Sequence, residues 1–337
     1  MRDLYNLHNF YNLETNGKSS KKLNNKGKSF GYQVLGFGSG GAAAPTLTQL
    51  GLFAFGQTGS TTNTSVKNLV SDVGVIGDDV TGVGTARRGG AGATYGLDKG
   101  LVAFGYTDAN TNVKNLVTNV GVIGTDVTGV GTARRFLGGT GYGADKSVYA
   151  YGYSTTYVSL SNSVSNAGVV ATDTVGVGTA RTEIAGVRYG GDKGIFAFGG
   201  TSGGTFQSMS NLVSNAGVIG TDVTGVGTER TSPGAASYGE DKAAFAYGTG
   251  SVYSPMSFSN LVSNAGVVGS DVTGVGTVRK AIAAVGYGGD KGIFGYGSNT
   301  TGYLSMSNLL DNSGVIADDV TGVGTSRARI ATVPYGA

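Results

Sequence analysis

Residue types that could carry acid–base or metal chemistry are few in this sequence. The 337 residues include one histidine, His8, and no cysteine, so neither Ser-His-Asp catalysis nor a histidine or thiolate metal site is predicted. Segment 36–41 matches G-x-G-x-x-G, but no helical pattern follows it, so it does not predict a dinucleotide site. The aspartates recur in repeat register, whereas the carboxylate pair of a glycosidase would be unrepeated. We therefore expect no enzyme activity, cofactor or metal.

The residues best suited to binding are aromatic side chains in six variable loops. The loops are 57–66, 106–113, 153–160, 200–209, 249–258 and 298–306. Aromatic rings beside Ser, Thr, Asn and Gly suit contact with protein or stacking against a sugar. The contact candidates are Tyr153, Tyr157, Phe206, Tyr253, Phe258 and Tyr303. Ordinary exposed hairpins are the other interpretation of the same composition.

An internal repeat positions these loops. The segment V-T-G-V-G-T-A-R, or a close variant, ends at Arg87, Arg134, Arg181, Arg230, Arg279 and Arg327, so the copies are 47 to 49 residues apart. A repeat of this length with strand-like chemistry is typical of propeller blades. Each copy contains an apolar run such as 194–199, in which we expect Phe196 and Phe198 on one face and Ile195 and Ala197 on the other. The repeat predicts an all-β, six-bladed β-propeller with about 48 residues per blade.

The chain ends predict how the ring closes. A Y-G-x-D-K segment precedes five of the six apolar runs, beginning at Tyr95, Tyr142, Tyr189, Tyr238 and Tyr287. The first apolar run, 51–56, has no such segment before it, whereas a further Y-G occurs at Tyr335 and Gly336. We therefore expect 329–337 to supply the missing outer portion of the blade that starts at Gly51. A composite blade built from both chain ends would remove two exposed sheet edges.

The repeated polar residues suggest scaffold roles. We expect the Asp-Lys pairs of the Y-G-x-D-K segments to form hairpin turns, and the recurring asparagines to form a repeated turn. Each is followed four residues later by a second Asn or Asp, and the pairs are Asn68/Asp72, Asn115/Asn119, Asn162/Asn166, Asn211/Asn215, Asn260/Asn264 and Asn308/Asn312. The six arginines are expected to pair with a carboxylate of the neighbouring blade, from the set Asp79, Asp126, Asp173, Asp222, Asp271 and Asp319. A channel lined by these arginines that binds an anion is the alternative.

Residues 1–45 differ from the repeat region, 46–337, and are predicted to be a separate N-terminal arm. Its apolar residues have the spacing of a short amphipathic helix, lysines follow, and a Gly-rich tether ends at Pro45. One hypothesis is an anchoring arm that becomes ordered against a partner, and the other is a disordered solubilising leader. The candidate partner-binding residues are Leu4, Leu7, Phe10, Tyr11, Lys21 and Lys22.

Net charge and hydropathy indicate which classes of partner the sequence does not predict. A formal net charge of +3 is too small to indicate a nucleic-acid partner. No apolar run in the sequence approaches the roughly 18 residues that a membrane-spanning helix needs. No N-terminal run resembles a signal peptide. We expect neither nucleic-acid binding nor membrane insertion.

The unit Y-G-x-D-K-G-I-F-A-F-G-G resembles a divergent kelch motif, although only Gly199 and Gly200 keep the kelch glycine pair and tryptophan is absent. More closely, N-L-V-S-N-x-G-V-I-x-T-D-V-T-G-V-G-T-A-R resembles units of kelch-like repeat proteins encoded by tailed bacteriophages, where they occur in virion structural proteins. The resemblance covers about 51–337. It implies a non-enzymatic component of a virion tail, fibre or head decoration, docked to other virion proteins through the N-terminal arm.

A second function is compatible with the same sequence. A propeller with aromatic loops can bind a host-surface glycan or receptor and act in host attachment, and Tyr153, Tyr157, Tyr253 and Tyr303 are the candidate platforms. An assembly component would need its arm in order to dock, whereas a glycan-binding propeller would bind its sugar without the arm.

Overall fold

The computed structural model describes residues 49–251 and 253–336, which lie in one compact unit, Thr48–Ala337. These residues form strands and turns without any helix, which confirms the predicted all-β class. The arm predicted over 1–45 lies outside the described residues. So do its candidate contacts Leu4, Leu7, Phe10, Tyr11, Lys21 and Lys22.

The described strands form six antiparallel sheets, here numbered I to VI. Sheet I contains β1 (Leu50–Ala54), β2 (Lys67–Val70) and β19 (Ala331–Tyr335). Sheet II contains β3 (Ala91–Tyr95), β4 (Lys99–Tyr106) and β5 (Asn110–Val117). Sheet III contains β6 (Gly138–Tyr142), β7 (Lys146–Ala150) and β8 (Ser161–Val164).

Sheet IV contains β9 (Ala185–Tyr189), β10 (Lys193–Ala197) and β11 (Ser210–Val213). Sheet V contains β13 (Gly234–Tyr238), β14 (Lys242–Gly250) and β15 (Pro255–Val262), with the two-residue β12 (Arg230–Thr231) added beside β14. Sheet VI contains β16 (Ala283–Tyr287), β17 (Lys291–Gly295) and β18 (Ser307–Leu310). In every sheet the apolar run of the repeat forms the central strand.

The central strands are buried on both faces, as their composition predicts. In β10, Ile195, Phe196 and Ala197 have no exposed surface. The Y-G-x-D-K segment forms the hairpin turn before the central strand, because Tyr189 ends β9 and Lys193 begins β10. The turn role predicted for the Asp-Lys pairs is therefore confirmed.

The end of each central strand departs from simple alternation. Phe198 has a left-handed backbone, with φ of 66°, so its ring turns to the opposite side from Phe196. The Phe198 ring packs edge-to-face on Phe245 of sheet V with centroids 5.4 Å apart, whereas Phe196 packs on Tyr151 of sheet III at 5.6 Å. The prediction that Phe196 and Phe198 share a face is wrong. The same conformation recurs at Phe55, Phe104, Tyr151, Tyr247 and Tyr296.

Sheet I joins the two ends of the described chain. Strand β1 pairs with β19 from Leu50 opposite Tyr335 to Ala54 opposite Ala331, which confirms the composite sheet. The expectation that 329–337 forms its outer portion is wrong. Strand β19 contacts β3 and β16, and the further contacts β3–β6, β6–β9, β9–β13 and β13–β16 connect the first strands of all six sheets. Two cavities, of about 130 and 120 Å³, are lined by all six sheets.

Each repeated arginine is buried between two successive sheets. The Arg87 Cζ lies 4.1 Å from the centre of the Phe55 ring in sheet I. Its Nε donates to the Phe104 carbonyl, at 2.9 Å, and its Nη2 donates to Asn115 Oδ1, at 2.6 Å, both in sheet II. Burial lowers the pKa of Arg87 to about 10, so the group remains charged at neutral pH.

The same contacts join the last sheet to the first. Arg327 stacks on Tyr296 of sheet VI at 4.3 Å and donates through Nη2 to Asn68 Oδ1 of sheet I at 2.6 Å. Thr325 donates its backbone N–H to Asp79 Oδ2 of sheet I at 2.9 Å. The interface between sheets VI and I is therefore built from the same residue types as the interfaces inside the chain.

The carboxylates expected to pair with the arginines act mainly as acceptors for other groups. Asp126 Oδ2 accepts the Thr85 N–H at 3.0 Å, and Asp126 Oδ1 accepts the Asn115 amide at 2.9 Å. Arginine-to-aspartate distances of 3.8 to 3.9 Å occur at three interfaces. The predicted ion pair is thus a secondary contact of the arginine. Its principal side-chain partner at the Arg87 interface is Asn115.

Two further expectations for the repeated residues are wrong. The six arginines do not line a channel, because they are buried between sheets with no more than 1% of their surface exposed. The first asparagine of each pair does not form a turn, because it lies in a strand, and Asn115 in β5 bonds Arg87 of the preceding unit. The asparagine four residues later, such as Asn119, does lie in a turn. A buried amide on a strand satisfies the buried guanidinium of its neighbour, which a turn residue could not reach.

Candidate binding site on the loop face

The two ends of the sheets differ in composition. At one end lie the Y-G-x-D-K turns, where the Gly96 N–H donates to the Asp145 carbonyl of the next sheet at 2.9 Å. Six equivalent bonds link neighbouring sheets at this end. Sheet I has no Y-G-x-D-K turn, and there the acceptor is the Gln49 carbonyl, which accepts the Gly288 N–H at 2.7 Å. We call this end the turn face. The opposite end, where the variable loops follow the central strands, is the loop face.

A ring of residues surrounds the cavity mouth on the loop face, each two positions after a repeated arginine. We call it the mouth ring: Gly89, Phe136, Glu183, Ser232, Ala281 and Arg329. All six have a left-handed backbone, with φ between 50° and 64°. The Phe136 N–H donates to the Gly89 carbonyl at 2.6 Å, and the Glu183 N–H donates to the Phe136 carbonyl at 2.8 Å.

The mouth ring holds unrepeated side chains on a repeated backbone. A left-handed backbone is unfavourable for every residue except glycine, and such positions are concentrated at functional sites. The repeat fixes the conformation here without fixing the side chain, since a glycine, an aromatic, an acid and a base all occupy equivalent places. The mouth ring is thus a place where the six units can differ chemically.

Beside the mouth ring lies a cleft of about 350 Å³. Its walls include three of the predicted loop contacts, Phe206, Tyr253 and Tyr303, together with Glu183, Lys280 and Arg329. We call this space the cleft.

The aromatic rings of the cleft differ in exposure. The Phe206 and Tyr253 rings pack edge-to-face with centroids 5.3 Å apart. Phe206 is 6% exposed and Tyr253 is 65% exposed, so Phe206 supports a ring that faces solvent. The Tyr303 hydroxyl accepts the Gln57 amide at 2.9 Å, which fixes the phenol against sheet I.

The other three predicted contacts lie elsewhere. Tyr153 and Tyr157 form an edge-to-face pair with centroids 5.5 Å apart in the loop of sheet III. Phe258 lies on β15, is 38% exposed and does not line the cleft. The predicted set therefore divides into a cleft group, a separate tyrosine pair and one isolated ring.

An arginine cluster on the loop face was not predicted. It consists of Arg88, Arg135 and Arg329, and its members alternate with aromatic rings. Tyr106 has the Arg88 Cζ at 4.7 Å and the Arg135 Cζ at 4.4 Å from its centroid. Phe136 has the Arg135 Cζ at 5.3 Å and the Arg329 Cζ at 4.3 Å. The signal in the sequence is that these arginines interrupt the repeat.

Glu183 is the single carboxylate on the cleft wall, within the part of the chain that the structure describes. Its Oε1 lies 3.4 Å from Arg329 Nη2, and its Oε2 accepts the Ser232 hydroxyl at 2.8 Å. Burial lowers the pKa of Arg329, Glu183 opposes this, and the charges of Arg88 and Arg135 lower the pKa further. Among the described residues, Glu183 pairs with Arg329 alone, so the three guanidinium groups outnumber the carboxylate and the loop face is positively charged at this point.

The cleft offers hydrogen-bond groups, aromatic rings and charge, and these suit noncovalent binding. No cluster of His, Cys, Asp and Glu within 49–251 and 253–336 has the arrangement of a metal site. No membrane-crossing helix is found in those same two segments. Among known proteins, neither a family model nor a curated protein matches the chain.

Proposed function

We propose that this protein is a non-enzymatic attachment module, a closed six-bladed propeller that binds a saccharide at its loop face. Closure is supported by the interface between sheets VI and I, where Arg327, Asn68 and Asp79 make the contacts found at the other interfaces. The contacts among first strands, which return from β19 to β3, support the same arrangement.

The observation that carries the binding function is the convergence of Phe206, Tyr253 and Tyr303 in one cleft of about 350 Å³. These rings come from three different repeat units, so only the assembled sheets bring them together. A partly exposed aromatic ring beside hydrogen-bonding groups is the chemistry that recognises a sugar, whose faces are apolar and whose rim carries hydroxyls. The repeated arginines and the strand asparagines are buried between the sheets and are not available to a ligand.

We further propose that the module is a structural protein of a virion, as a tail, fibre or head-decoration component. The resemblance of the repeat unit to kelch-like phage proteins supports this role. In this proposal residues 1–45 dock to other virion proteins and the loop face contacts the host surface. The two roles are compatible because they use different parts of the chain.

The saccharide role is tested by measuring glycan binding of the full-length chain and of two cleft variants. We expect Tyr253→Ala and Tyr303→Ala each to weaken binding about tenfold, equal to about 1.4 kcal/mol. Phe258→Ala is the matched control, because it removes an exposed ring that lies outside the cleft. Failure of the chain to bind any saccharide, or an equal loss in the control, contradicts the proposal.

The virion role has its own experiment. Purified full-length chain and a 46–337 fragment are incubated with assembled particles that lack the protein. We expect the full-length chain alone to dock. Docking of the fragment with equal affinity would contradict an anchoring role for 1–45 and leave the saccharide result unaffected.

A further inference from the structure

We propose that the arginine cluster binds the anionic group, a carboxylate or a sulfate ester, of an acidic saccharide held in the cleft. This inference rests on the proposed saccharide function of the loop face and specifies the chemical class of its ligand. Arg88, Arg135 and Arg329 are the residues that recognise the anion.

The three guanidinium groups form one continuous row. Arg88 and Arg135 share the ring of Tyr106, at 4.7 and 4.4 Å from its centroid, and Arg135 and Arg329 share Phe136, at 5.3 and 4.3 Å. Stacking on the rings fixes the planes of the guanidinium groups before any ligand arrives. Arg329 also lines the cleft, so the row runs from the cleft to the loop of sheet II.

The row has unused hydrogen-bond donors. Each guanidinium carries five N–H donors. Arg88 Nη1 bonds Asn63 Oδ1 at 2.8 Å, and Arg329 Nη2 bonds Glu183 at 3.4 Å. The Arg135 side chain makes no hydrogen bond among the described residues, and because its Nε is buried, Nη1 and Nη2 are the donors open to a ligand. Planar forks with free donors match the paired oxygens of a carboxylate or sulfate.

The repeat itself does not require these arginines. The positions equivalent to Arg88 and Arg135 hold Thr182, Thr231, Lys280 and Ala328 in the other units. In the other five units, the position equivalent to Arg329 is occupied by the other members of the mouth ring. Sheet architecture is therefore retained without a guanidinium at these places. Three neighbouring positive charges with one carboxylate, Glu183 beside Arg329, repel one another until a further anion joins them.

The geometry favours an acidic sugar over a nucleic acid. Binding of single-stranded nucleic acid depends on bases stacking on exposed aromatic faces. The rings of Tyr106 and Phe136 each have two guanidinium groups within 4.3 to 5.3 Å of the ring centroid, which leaves less of their faces open to a base. The exposed ring of the site, Tyr253, lies in the cleft, where a neighbouring sugar residue can reach it.

The experiment compares matched ligands on the full-length chain by calorimetry. The probes are one oligosaccharide with a uronic acid, its carboxyl-reduced neutral form, and a form that carries a sulfate ester in place of the carboxylate. We expect the acidic forms to bind at least tenfold more tightly than the neutral form, with the difference decreasing as salt is raised. The carboxylate and sulfate arms identify which anion is preferred.

Arg88→Gln and Arg135→Gln are each expected to remove most of the acidic preference, measured as the ratio of the affinities for the acidic and neutral forms. Lys146→Gln is the control, because it removes one positive charge from the exposed turn face. Arg135→Lys, which keeps the charge but not the planar fork, should recover only part of the preference. If circular dichroism shows that a variant is unfolded, the test uses the unmodified chain instead, and measures how its acidic preference changes with salt concentration.

The outcomes separate the two proposals. If neither the acidic nor the neutral form binds, the saccharide function itself is contradicted. Equal binding of acidic and neutral forms, or an acidic preference that persists in the Arg88→Gln, Arg135→Gln double variant, overturns the arginine cluster as the anion site and leaves the saccharide function standing. Tighter binding of an oligonucleotide than of any saccharide overturns the choice of ligand class.

Discussion

A buried arginine is unfavourable unless its charge and its donors are satisfied, and the described chain meets that condition in a repeated way. Arg87 is stacked on Phe55, bonded to Asn115 and bonded to the Phe104 carbonyl. A lysine could not make the ring stack and both hydrogen bonds equally well, because only the guanidinium is planar and has its donors arranged as a fork. The contact therefore selects arginine rather than positive charge in general.

Replacement of Arg87 by lysine should lower the free energy of unfolding by about 3 kcal/mol, because it leaves buried acceptors unpaired. The measurement is urea unfolding followed by circular dichroism. Arg88→Lys is the matched control, since Arg88 is adjacent in sequence but partly exposed on the loop face. A loss at Arg87 no larger than the loss at Arg88 would show that the stacked and bonded guanidinium adds little to stability.

The interface aspartates predict how stability depends on pH. Burial raises the pKa of Asp126, but hydrogen bonds from Thr85 and Asn115 and the charge of Arg87 outweigh it, so the pKa lies below its ordinary value. The equivalent aspartates of the other five interfaces shift in the same direction. As the pH falls, the carboxylates of the unfolded chain therefore bind protons at a higher pH than those of the folded chain. The contribution of these aspartates to the free energy of unfolding is fully present above about pH 4 and is lost as the pH drops through the folded pKa values.

Two measurements check this pH dependence. The unfolding free energy is followed from pH 7 to pH 2, and the Asp126 carboxyl is titrated by NMR in the folded chain. We expect an acid limb below about pH 4 and an Asp126 midpoint below that of a model peptide. An Asp126 midpoint at or above the peptide value contradicts the interface account, whatever the shape of the stability curve.

Sequence reasoning at this scale identified the right residues more often than the right partners. The repeat marked the arginines and aspartates as neighbours across an interface, and they are. The sixfold repetition of Asn115 and its equivalents favours a repeated turn over six ligand sites, and nothing local reveals that the partner of Asn115 is Arg87, 28 residues earlier on another unit. Partner identity depends on how sheets stack, which residue types alone do not specify.

At the scale of the element, the outer segment of each unit depends on close backbone approach. A Cβ atom placed on Gly82 would lie 1.5 Å from the Ser65 carbonyl oxygen, and the equivalent Gly129 would meet Asn112 in the same way at 1.4 Å. The first glycine of V-T-G-V-G-T is thus required by space, because a side chain there would displace the backbone of the loop.

Gly82→Ala should therefore lower the unfolding free energy by about 2 kcal/mol or more. Gly77→Ala is the control, because a Cβ there meets only the Leu69 carbonyl at an ordinary 3.6 Å. Thermal unfolding of both variants measures the difference. Equal midpoints for the two would mean that the outer segment adjusts to a side chain at no cost.

The strands themselves were the most predictable part of the molecule. Apolar runs with β-branched and aromatic residues identified all six central strands, because burial on both faces leaves a clear composition. Two features escaped prediction. Periodicity does not tell which edge strand faces the shared cavities, so β19 was placed outside, and the left-handed backbone at Phe198 reverses a side chain without changing the pattern of residue types.

At the scale of the whole molecule, the proposed ring is closed within sheet I, where β19 from the C-terminal end of the chain pairs with β1 instead of being joined to it by a hairpin turn. Leu50 lies opposite Tyr335 in sheet I, so the ends of the repeat region are adjacent. Repeat units that make equivalent contacts on both sides should contribute nearly equally to stability.

A circular permutant tests this closure directly. It joins Gly336 to Gln49 through a short linker and opens the chain at Gly191, whose added Cβ would meet nothing within 4 Å. We expect it to fold with the same strand content and a free energy of unfolding within about 2 kcal/mol of the parent, because exposed turn tips tolerate new termini. Loss of cooperative unfolding in the permutant would show that the composite sheet has a special role.

The candidate site illustrates what the sequence could and could not provide. Loop composition pointed to Phe206, Tyr253 and Tyr303, but their convergence depends on the stacking of three sheets. The arginine cluster was visible only as an interruption of the repeat, and Arg329 lies more than 190 residues from Arg135 in the chain. A site assembled from several units becomes recognisable only when their arrangement is known.

The Gln49 acceptor at the sheet I position has a consequence for how this domain can be joined to other sequences. Gly288 bonds the backbone carbonyl of Gln49 and not its side chain, and a carbonyl is present in every residue. The hydrogen bond between Gly288 and residue 49 can therefore form with almost any residue type at position 49. The repeat region is therefore suited to use as an exchangeable cassette, which different N-terminal sequences could carry without any redesign of its contacts.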